Sequence, residues 1–497
     1  MKAEKTGKLT AASSSTQALA EALKVNLDYE ELTNCMRCGF CQPACPTYTE
    51  TGIEAASPRG RIALMKAVAD GLMEPDQAFK DQLDLCLGCR ACEPVCPSDV
   101  KYGHLLEQAR ATIEQHTEHP RHVKLARNVM FKHVFPKQQR MKLVGLGLKL
   151  YQKTGLQWAA RKSGMLKLFP ESMRQMEAIL PEAQSDGVVE QLGTFYPAEN
   201  GQAVAKVGMF RGCIMDVLFT ETNIRTVKLL AASGFDVILP PAQNCCGALH
   251  AHSGEMETAK ELAKRNIRAF QEANVDYIVS NAGGCGALLM EYDHLLQDDE
   301  EWAEHGKWFA ERVLDISELI VTKGQLPVFR DVSVERESLD KAKLPSEQLK
   351  GATKFTGVGT KQRPEDVPVA AAADGKPKVV VTYQDSCHLR NVMRGGSAPR
   401  ALMKSVENIQ FTELRNADKC CGSAGIYNIL QPEMATQILD HKMEDVKQTN
   451  AHYLITSNPG CLLQMKLGIE RENLGNTMKA LHIVDFLYER LQKEDKL

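Results

Sequence analysis

Sixteen cysteines stand in this 497-residue chain, in four groups of four with none left over. Cys35, Cys38, Cys41 and Cys45, followed by Pro46, and Cys86, Cys89, Cys92 and Cys96, followed by Pro97, each spell C-x2-C-x2-C-x3-C-P. Three thiolates at this spacing on a tight loop hold three corners of an iron–sulfur cubane, while the fourth, past the turn, serves a second cluster. On that rule Cys35, Cys38, Cys41 and Cys96 bind one 4Fe-4S cluster, and Cys45, Cys86, Cys89 and Cys92 bind the other. The chemistry expected is one-electron transfer. Gly39, Gly88 and Ala91 are small enough to let the loops approach the clusters and aim N–H groups at their sulfurs.

Two other uses of cysteine fit less well. Structural zinc takes four ligands, commonly from two Cys-x2-Cys pairs, and a triple at x2-x2 spacing departs from that pattern. Disulfides belong to oxidising compartments, and the first residues do not read as a secretory signal, so a cytoplasmic setting is expected.

The other eight cysteines form a repeat. Cys213, Cys245, Cys246 and Cys285 are matched by Cys387, Cys420, Cys421 and Cys461 at offsets of 174, 175 and 176 residues. A glycine follows each Cys-Cys pair, at Gly247 and Gly422. Four thiols per copy can hold a further iron–sulfur cluster or another metal, form a redox-active surface, or pack as small buried hydrophobes. Asp385, His388 and Arg390 flank Cys387, and His250 and His252 follow the first pair, where they can tune a cluster, carry protons or simply be solvated.

These residues need elements to hold them. Ser57-Pro58 reads as an N-cap and first-turn proline for a helix from Arg59 to Leu72, closed by Gly71, which places a helix between the two ferredoxin-type runs. In each repeat, a short apolar strand ending in a cysteine, Val207 to Cys213 and Val379 to Cys387, alternates with helical stretches such as Thr220–Ala232 and Glu255–Ala273. That alternation predicts parallel α/β units with the cysteines at strand ends, where open sheets place their binding crevices. The fold class expected is therefore α+β multidomain: a helical dicluster ferredoxin-like domain followed by a duplicated α/β cysteine-rich domain. The boundaries expected are a mobile tail over 1–28, the dicluster domain over 29–115, a basic helical connector over 116–200, the first cysteine-rich domain over 205–320, a linker or insertion over 322–377, and the second over 378–497.

Charge is uneven along the chain. The net charge is −3, yet His119 to Pro170 holds twelve Lys and Arg and no Asp or Glu. From Met141 onward the cations interleave with Leu, Tyr and Trp at helical spacing, which suits an anionic membrane surface, an acidic partner subunit, or an ordinary solvated helix pair. No apolar run reaches the roughly 18 residues of a spanning helix. No nucleic-acid-binding motif accompanies the charge.

Taken together, the two ferredoxin-type runs, Ser57-Pro58-Arg59-Gly60-Arg61, Cys245-Cys246-Gly247, Cys420-Cys421-Gly422-Ser423-Ala424-Gly425 and Ser457-Asn458-Pro459-Gly460-Cys461 resemble the iron–sulfur subunits of bacterial glycolate oxidases. The resemblance implies an electron-transfer subunit of a 2-hydroxy acid oxidase or dehydrogenase. Such a subunit takes electrons from a separate FAD-containing subunit and passes them to the membrane quinone pool, peripheral at the inner face of the membrane. No substrate-oxidising residue is then expected in this chain. Subunits for lactate or glycerol-3-phosphate oxidation, and heterodisulfide reductase, share the architecture. In the last of these each repeat ends in Cys-x-x-Cys; here Leu288 and Gln464 stand at that position, so the fifth thiolate is missing from both copies.

Overall fold

The computed structural model describes residues 13–199, 201–329 and 379–491. The first unit is helical. The helix Pro58–Ala69 forms where Ser57 accepts a capping bond from Gly60 N at 3.1 Å, and the chain leaves it through Gly71 at φ 71°. It packs with Gln77–Asp84 and Tyr102–Gln115 around Met65, Phe79, Leu83, Leu105 and Ala109, all buried. The expected mobile tail is corrected within the described residues: Ser13–Asn26 is a helix whose Leu19 and Leu23 are fully buried in this core. Full burial of a leucine stabilises by roughly 1.5–3 kcal/mol, enough to hold an amphipathic segment in place.

The connector is a series of short helices, chiefly Gln138–Lys153, Leu156–Lys162 and Glu171–Ile179. Its last part departs from the expected boundary: β1 (Phe195–Tyr196) joins the first sheet. That sheet continues with β2 (Ala205–Phe210), β3 (Phe235–Ile238), β4 (Tyr277–Ser280) and β5 (Val313–Asp315), in the order β1-β3-β2-β4-β5, with β1 antiparallel and the others parallel. The second repeat contributes β6 (Val379–Tyr383), β7 (Ile409–Phe411), β8 (Tyr453–Thr456) and β9 (Lys479–His482), parallel throughout, in the order β7-β6-β8-β9. Apart from β1 the two orders are the same, as one fold used twice requires.

The repeats share cores. Val207, Phe235 and Val279 of the first pack with Tyr383, Leu402, Ile455 and Phe486 of the second. Most of the expected linker, 322–377, lies outside the described residues; of the part described, Thr322 and Lys323 end the helix Ile316–Lys323 and Phe329 is buried in this shared core.

Candidate metal centres

The two ferredoxin-type loops share one backbone form. Arg37 and Gly39 have φ of 56° and 90°, and Gly88 and Arg90 have φ of 64° and 56°, so the residues on both sides of Cys38 and of Cys89 are left-handed. Alternation of this kind turns successive N–H groups inward as an anion-binding nest. Ala91, singled out for its size, is not one of the left-handed positions. Two arginines take them instead, against the usual side-chain preference. Arg90 is tied down by Glu93, at 2.9 Å, and by Glu291 of the first repeat, while the Arg37 carbonyl accepts from Arg59 Nη1 at 2.9 Å.

One cavity is lined by Cys35, Cys38 and Cys41 together with Cys92 and Cys96 of the other run. Cys45 lies elsewhere. It is among the charge neighbours of Cys89 and Cys92, as is Cys86, and burial pushes the Cys89 and Cys92 thiols up. Cys86 goes the other way: burial opposes its ionisation, yet Arg61 and Arg110 beside it hold its thiol below the ordinary value. Tyr102 OH and Gly88 N donate to its Sγ at 3.5 and 3.4 Å.

Arg61 is the functional residue that reading by cysteine spacing missed; its only signal was its place in Ser57-Pro58-Arg59-Gly60-Arg61. It is fully buried, donates from Nε to Gln82 O at 2.6 Å and from Nη2 to Thr47 Oγ1 at 3.1 Å, and faces Cys86 and Cys45. Its Nη1 is buried with no partner among the described residues. Buried charge and an unmet donor are costly unless an anion completes them. A cluster held by four thiolates is such an anion, so the residues present fit the group.

In both repeats the four thiols meet at the C-terminal ends of three neighbouring strands, where the strand order reverses. Cys213 Sγ lies 3.6 Å from Cys245 Sγ, Cys245 contacts Cys246, and Cys246 contacts Cys285. Cys387, Cys420, Cys421 and Cys461 repeat the row. Among the described residues no three His, Cys, Asp or Glu converge on one point as a single metal ion needs. A row of buried thiols around the end of a sheet suits a polynuclear iron–sulfur group better than a lone zinc.

The second repeat closes over the loop of Cys86 and Cys89. His388 Nε2 donates to Gly88 O at 3.0 Å, Asn391 Nδ2 to Cys89 O at 2.9 Å, and Tyr427 OH to Leu85 O at 2.8 Å. Cys89 and Cys420 share an apolar cluster, with Cys387 packed against it. The remaining polar candidates have local work. His250 donates to Phe131 O, and burial pushes it toward the neutral form. His252 meets Glu107 at 3.0 Å, and its ring lies 5.5 Å from that of His388. Asp385 is engaged by Arg390 and Arg400, each at 2.7 Å. At the fifth-ligand position, Leu288 is core and Gln464 accepts from Asn428.

Comparison with known proteins agrees with this geometry. Residues 31–100 match the 4Fe-4S dicluster domain, 207–290 and 381–466 each match the cysteine-rich domain, and 122–180 match the linker region of the glycolate oxidase iron-sulfur subunit. The chain is 49% identical over 467 residues to the probable glycolate oxidase iron-sulfur subunit of Bacillus subtilis strain 168, which spans 94% of this chain and 95% of that one. It is 26% identical over 467 residues to the glycolate oxidase iron-sulfur subunit of Escherichia coli K12, covering 93% of this chain and 95% of that one. Lactate utilization protein A of Geobacillus sp. WCH70 is 30% identical over 285 residues, 57% of this chain and 100% of its own. With its clusters' loops, its linker and both cysteine-rich repeats matched along nearly its whole length, the chain belongs to the glycolate oxidase iron-sulfur subunit family.

Proposed function

We propose that this chain is the electron-carrying subunit of a glycolate-oxidising complex, taking electrons from a partner subunit that holds FAD and oxidises the 2-hydroxy acid, and passing them toward membrane quinone. The observation that carries the reading is the meeting of thiols across the two runs, with Cys96 and Cys92 at the cavity of Cys35, Cys38 and Cys41, and Cys45 among the neighbours of Cys89 and Cys92. These two sets are the proposed ligands. A 4Fe-4S cluster, when bound, supplies one-electron transfer at a potential set by burial, charge and hydrogen bonds. The chain's own part is to hold the thiolates, to counter their charge with Arg61 and Arg110, and to keep water from Cys86, Cys89 and Cys92, which are buried.

A peripheral position at the inner face of the membrane is supported by the connector. No helix among the described residues is long and apolar enough to cross a bilayer. Yet Leu143, Leu146 and Leu150 line one exposed face of Gln138–Lys153, and Trp158 and Leu168 are 65% and 85% exposed beyond it. Of the twelve connector cations, Arg127, Lys142, Lys153 and Arg161 are paired with acids, and the rest have no acidic partner among the described residues. Cations beside bare apolar side chains suit an anionic lipid surface.

The test is reconstitution with the partner flavin subunit. Glycolate should reduce the clusters of this chain, and added quinone should reoxidise them, followed by optical and paramagnetic resonance spectra. Clusters that stay oxidised while the flavin is reduced would overturn the reading.

A further inference from the structure

The dicluster unit and both repeats meet at a group of ionisable side chains that the sulfur chemistry does not use. Helix Tyr102–Gln115 of the dicluster unit supplies His104 and Glu107, the first repeat supplies His252, Glu291 and His294, and the second supplies His388. The contacts run in a line from the loop of Cys89 to the surface. Arg90, between Cys89 and Cys92, pairs with Glu93 and with Glu291. Glu291 accepts from His104 Nε2 at 3.1 Å. The His104 ring lies flat on that of His294, with centroids 3.6 Å apart and planes 10° from parallel. His294 Nδ1 donates to Gln297 Oε1 at 3.1 Å, and Gln297 is exposed. Asp293, exposed beside the stack, accepts the backbone N–H of His294 at 2.7 Å. On the other flank His252 Nδ1 donates to Glu107 at 3.0 Å, and its ring lies 5.5 Å from His388, which holds the Gly88 carbonyl.

Charge decides what this group can take up. Its acids Glu93, Glu107 and Glu291 are paired with one permanent cation, Arg90, so the remaining positive charge has to come from protons on imidazole. Burial works against the Glu291 carboxylate, yet His104 and Arg90 hold it well below the usual range. An ionised carboxylate only accepts, so Glu291 fixes a hydrogen on His104 Nε2 and leaves Nδ1 as the lone pair for a further proton. Two stacked imidazoles disfavour a double charge, and the pair therefore holds one extra proton at a time. Burial, and His104 beside it, push His294 toward the neutral form, so the ring on Glu291 carries that proton. Among the described residues no three His or Glu side chains converge here as a metal ion would need, which leaves the proton as the ligand.

We propose that the stacked pair His104 and His294, with Glu291, is a proton-accepting site coupled to the cluster of Cys45, Cys86, Cys89 and Cys92. As that cluster takes one electron, from the reduced flavin of the reading above, the pair takes one proton from water, and it returns the proton when the electron moves on. One N–H bond forms on reduction and breaks on reoxidation; no other bond changes. The coupling is reciprocal, so a proton on the pair favours the reduced cluster as much as reduction favours the proton. Arg90 and Glu291, both largely buried, stand between the two sites, where charges are screened less than in water. The inference rests on the electron-carrying reading and on those four ligands.

The test is a potentiometric titration of anaerobically purified full-length protein between pH 5.5 and 9, with dithionite and redox mediators, followed by paramagnetic resonance. The midpoint potential of the Cys86 cluster should fall as the pH rises, by at most about 59 mV per pH unit, the value of a tenfold change for one electron. That of the Cys35 cluster should change less. In the His104→Gln/His294→Gln protein the Cys86 potential should be flat, with wild-type iron content as the control for folding. A second readout covers the case of lowered iron: a pH indicator in weakly buffered solution should record proton uptake on reduction of wild type, and less uptake per electron with His104→Gln alone. A flat wild-type potential with both cluster signals present, a slope that survives the double substitution, or equal uptake by wild type and His104→Gln would overturn the inference. Any of these leaves the electron-carrying reading standing, because dithionite replaces the flavin partner throughout. Clusters that ignore glycolate and the flavin partner yet show the slope would sink that reading and leave the proton site in place.

Discussion

His388 and Gly88 are joined across 300 residues of chain by a 3.0 Å hydrogen bond, and Asn391 holds the next carbonyl, that of Cys89, at 2.9 Å. The loop that presents cluster thiols is therefore fixed by the second repeat as well as by its own turn. Asn391→Ala leaves the Cys89 carbonyl buried and unpaired, at a cost of about 1–3 kcal/mol. A lowered unfolding midpoint is expected, with faster amide exchange over 85–92; exchange unchanged in that loop would argue against the clamp.

The proposed crossed ligation makes Cys45 and Cys96 diagnostic. Cys96→Ala should damage the cluster of Cys35, Cys38 and Cys41, and Cys45→Ala the cluster of Cys86, Cys89 and Cys92. The readout is which of the two resonance signals disappears in each variant. Loss in Cys45→Ala confined to the Cys35 cluster would reverse the assignment.

Arg61→Met removes a buried cation from beside Cys45 and Cys86. With less positive charge nearby, the reduced cluster at that site is disfavoured, so its midpoint potential should become more negative while the other cluster moves little. Arg61→Lys should recover part of the shift. Potentiometric titration followed by paramagnetic resonance separates the two signals.

Asp315 gives a pH dependence. Burial, with Glu318 adding to it, pushes its carboxyl up from 3.8 to about 7, although Ser317 N donates to Oδ1 at 2.8 Å. A carboxyl whose folded value lies above its unfolded one binds its proton more tightly when folded. Its stabilising effect is thus full below about pH 4 and is lost as the pH rises through about 7. Asp315→Asn keeps the helix cap and removes the titration. Relative to wild type, the variant should gain up to about 4 kcal/mol between pH 4 and 8; parallel stability curves would refute the shift.

The connector predicts binding to anionic vesicles. Leu143→Ser with Leu150→Ser should weaken flotation with phosphatidylglycerol-containing vesicles about tenfold or more, because each leucine loses its apolar contact with lipid. Gly147 lies on the same face with open space around it, so Gly147→Leu should strengthen binding. Lys142, Lys153 and Arg161 are poor choices for charge removal, since each holds an ion pair within the chain. Lys132, Lys162 and Lys167 are better ones. Wild-type protein that stays in solution with anionic vesicles would point to an acidic protein partner instead.

Much of this was legible because cysteine spacing is a local signal. The cysteine runs and the Ser57-Pro58 helix start depend on residues close in sequence, the 174 to 176 residue offset is a repeat of such local patterns, and Thr220–Ala232 forms over the expected span. What escaped depends on residues far apart. A short helical pattern around Ala18 to Leu23 is legible, but the segment reads as mobile tail because the stability of Ser13–Asn26 comes from Leu19 and Leu23 meeting a core made by later helices. The left-handed Arg37 and Arg90 escaped because their conformation is held by distant partners, as Arg90 is by Glu291.

The clamp by His388, Asn391 and Tyr427 also sets an order in time. Cys86 and Cys89 emerge from the ribosome some 300 residues before the side chains that cover their loop. At about 5–20 residues per second, that interval is roughly 15–60 s. During it the thiols stand open to whatever delivers iron and sulfide, and the C-terminal repeat, made last, closes the door behind the cargo.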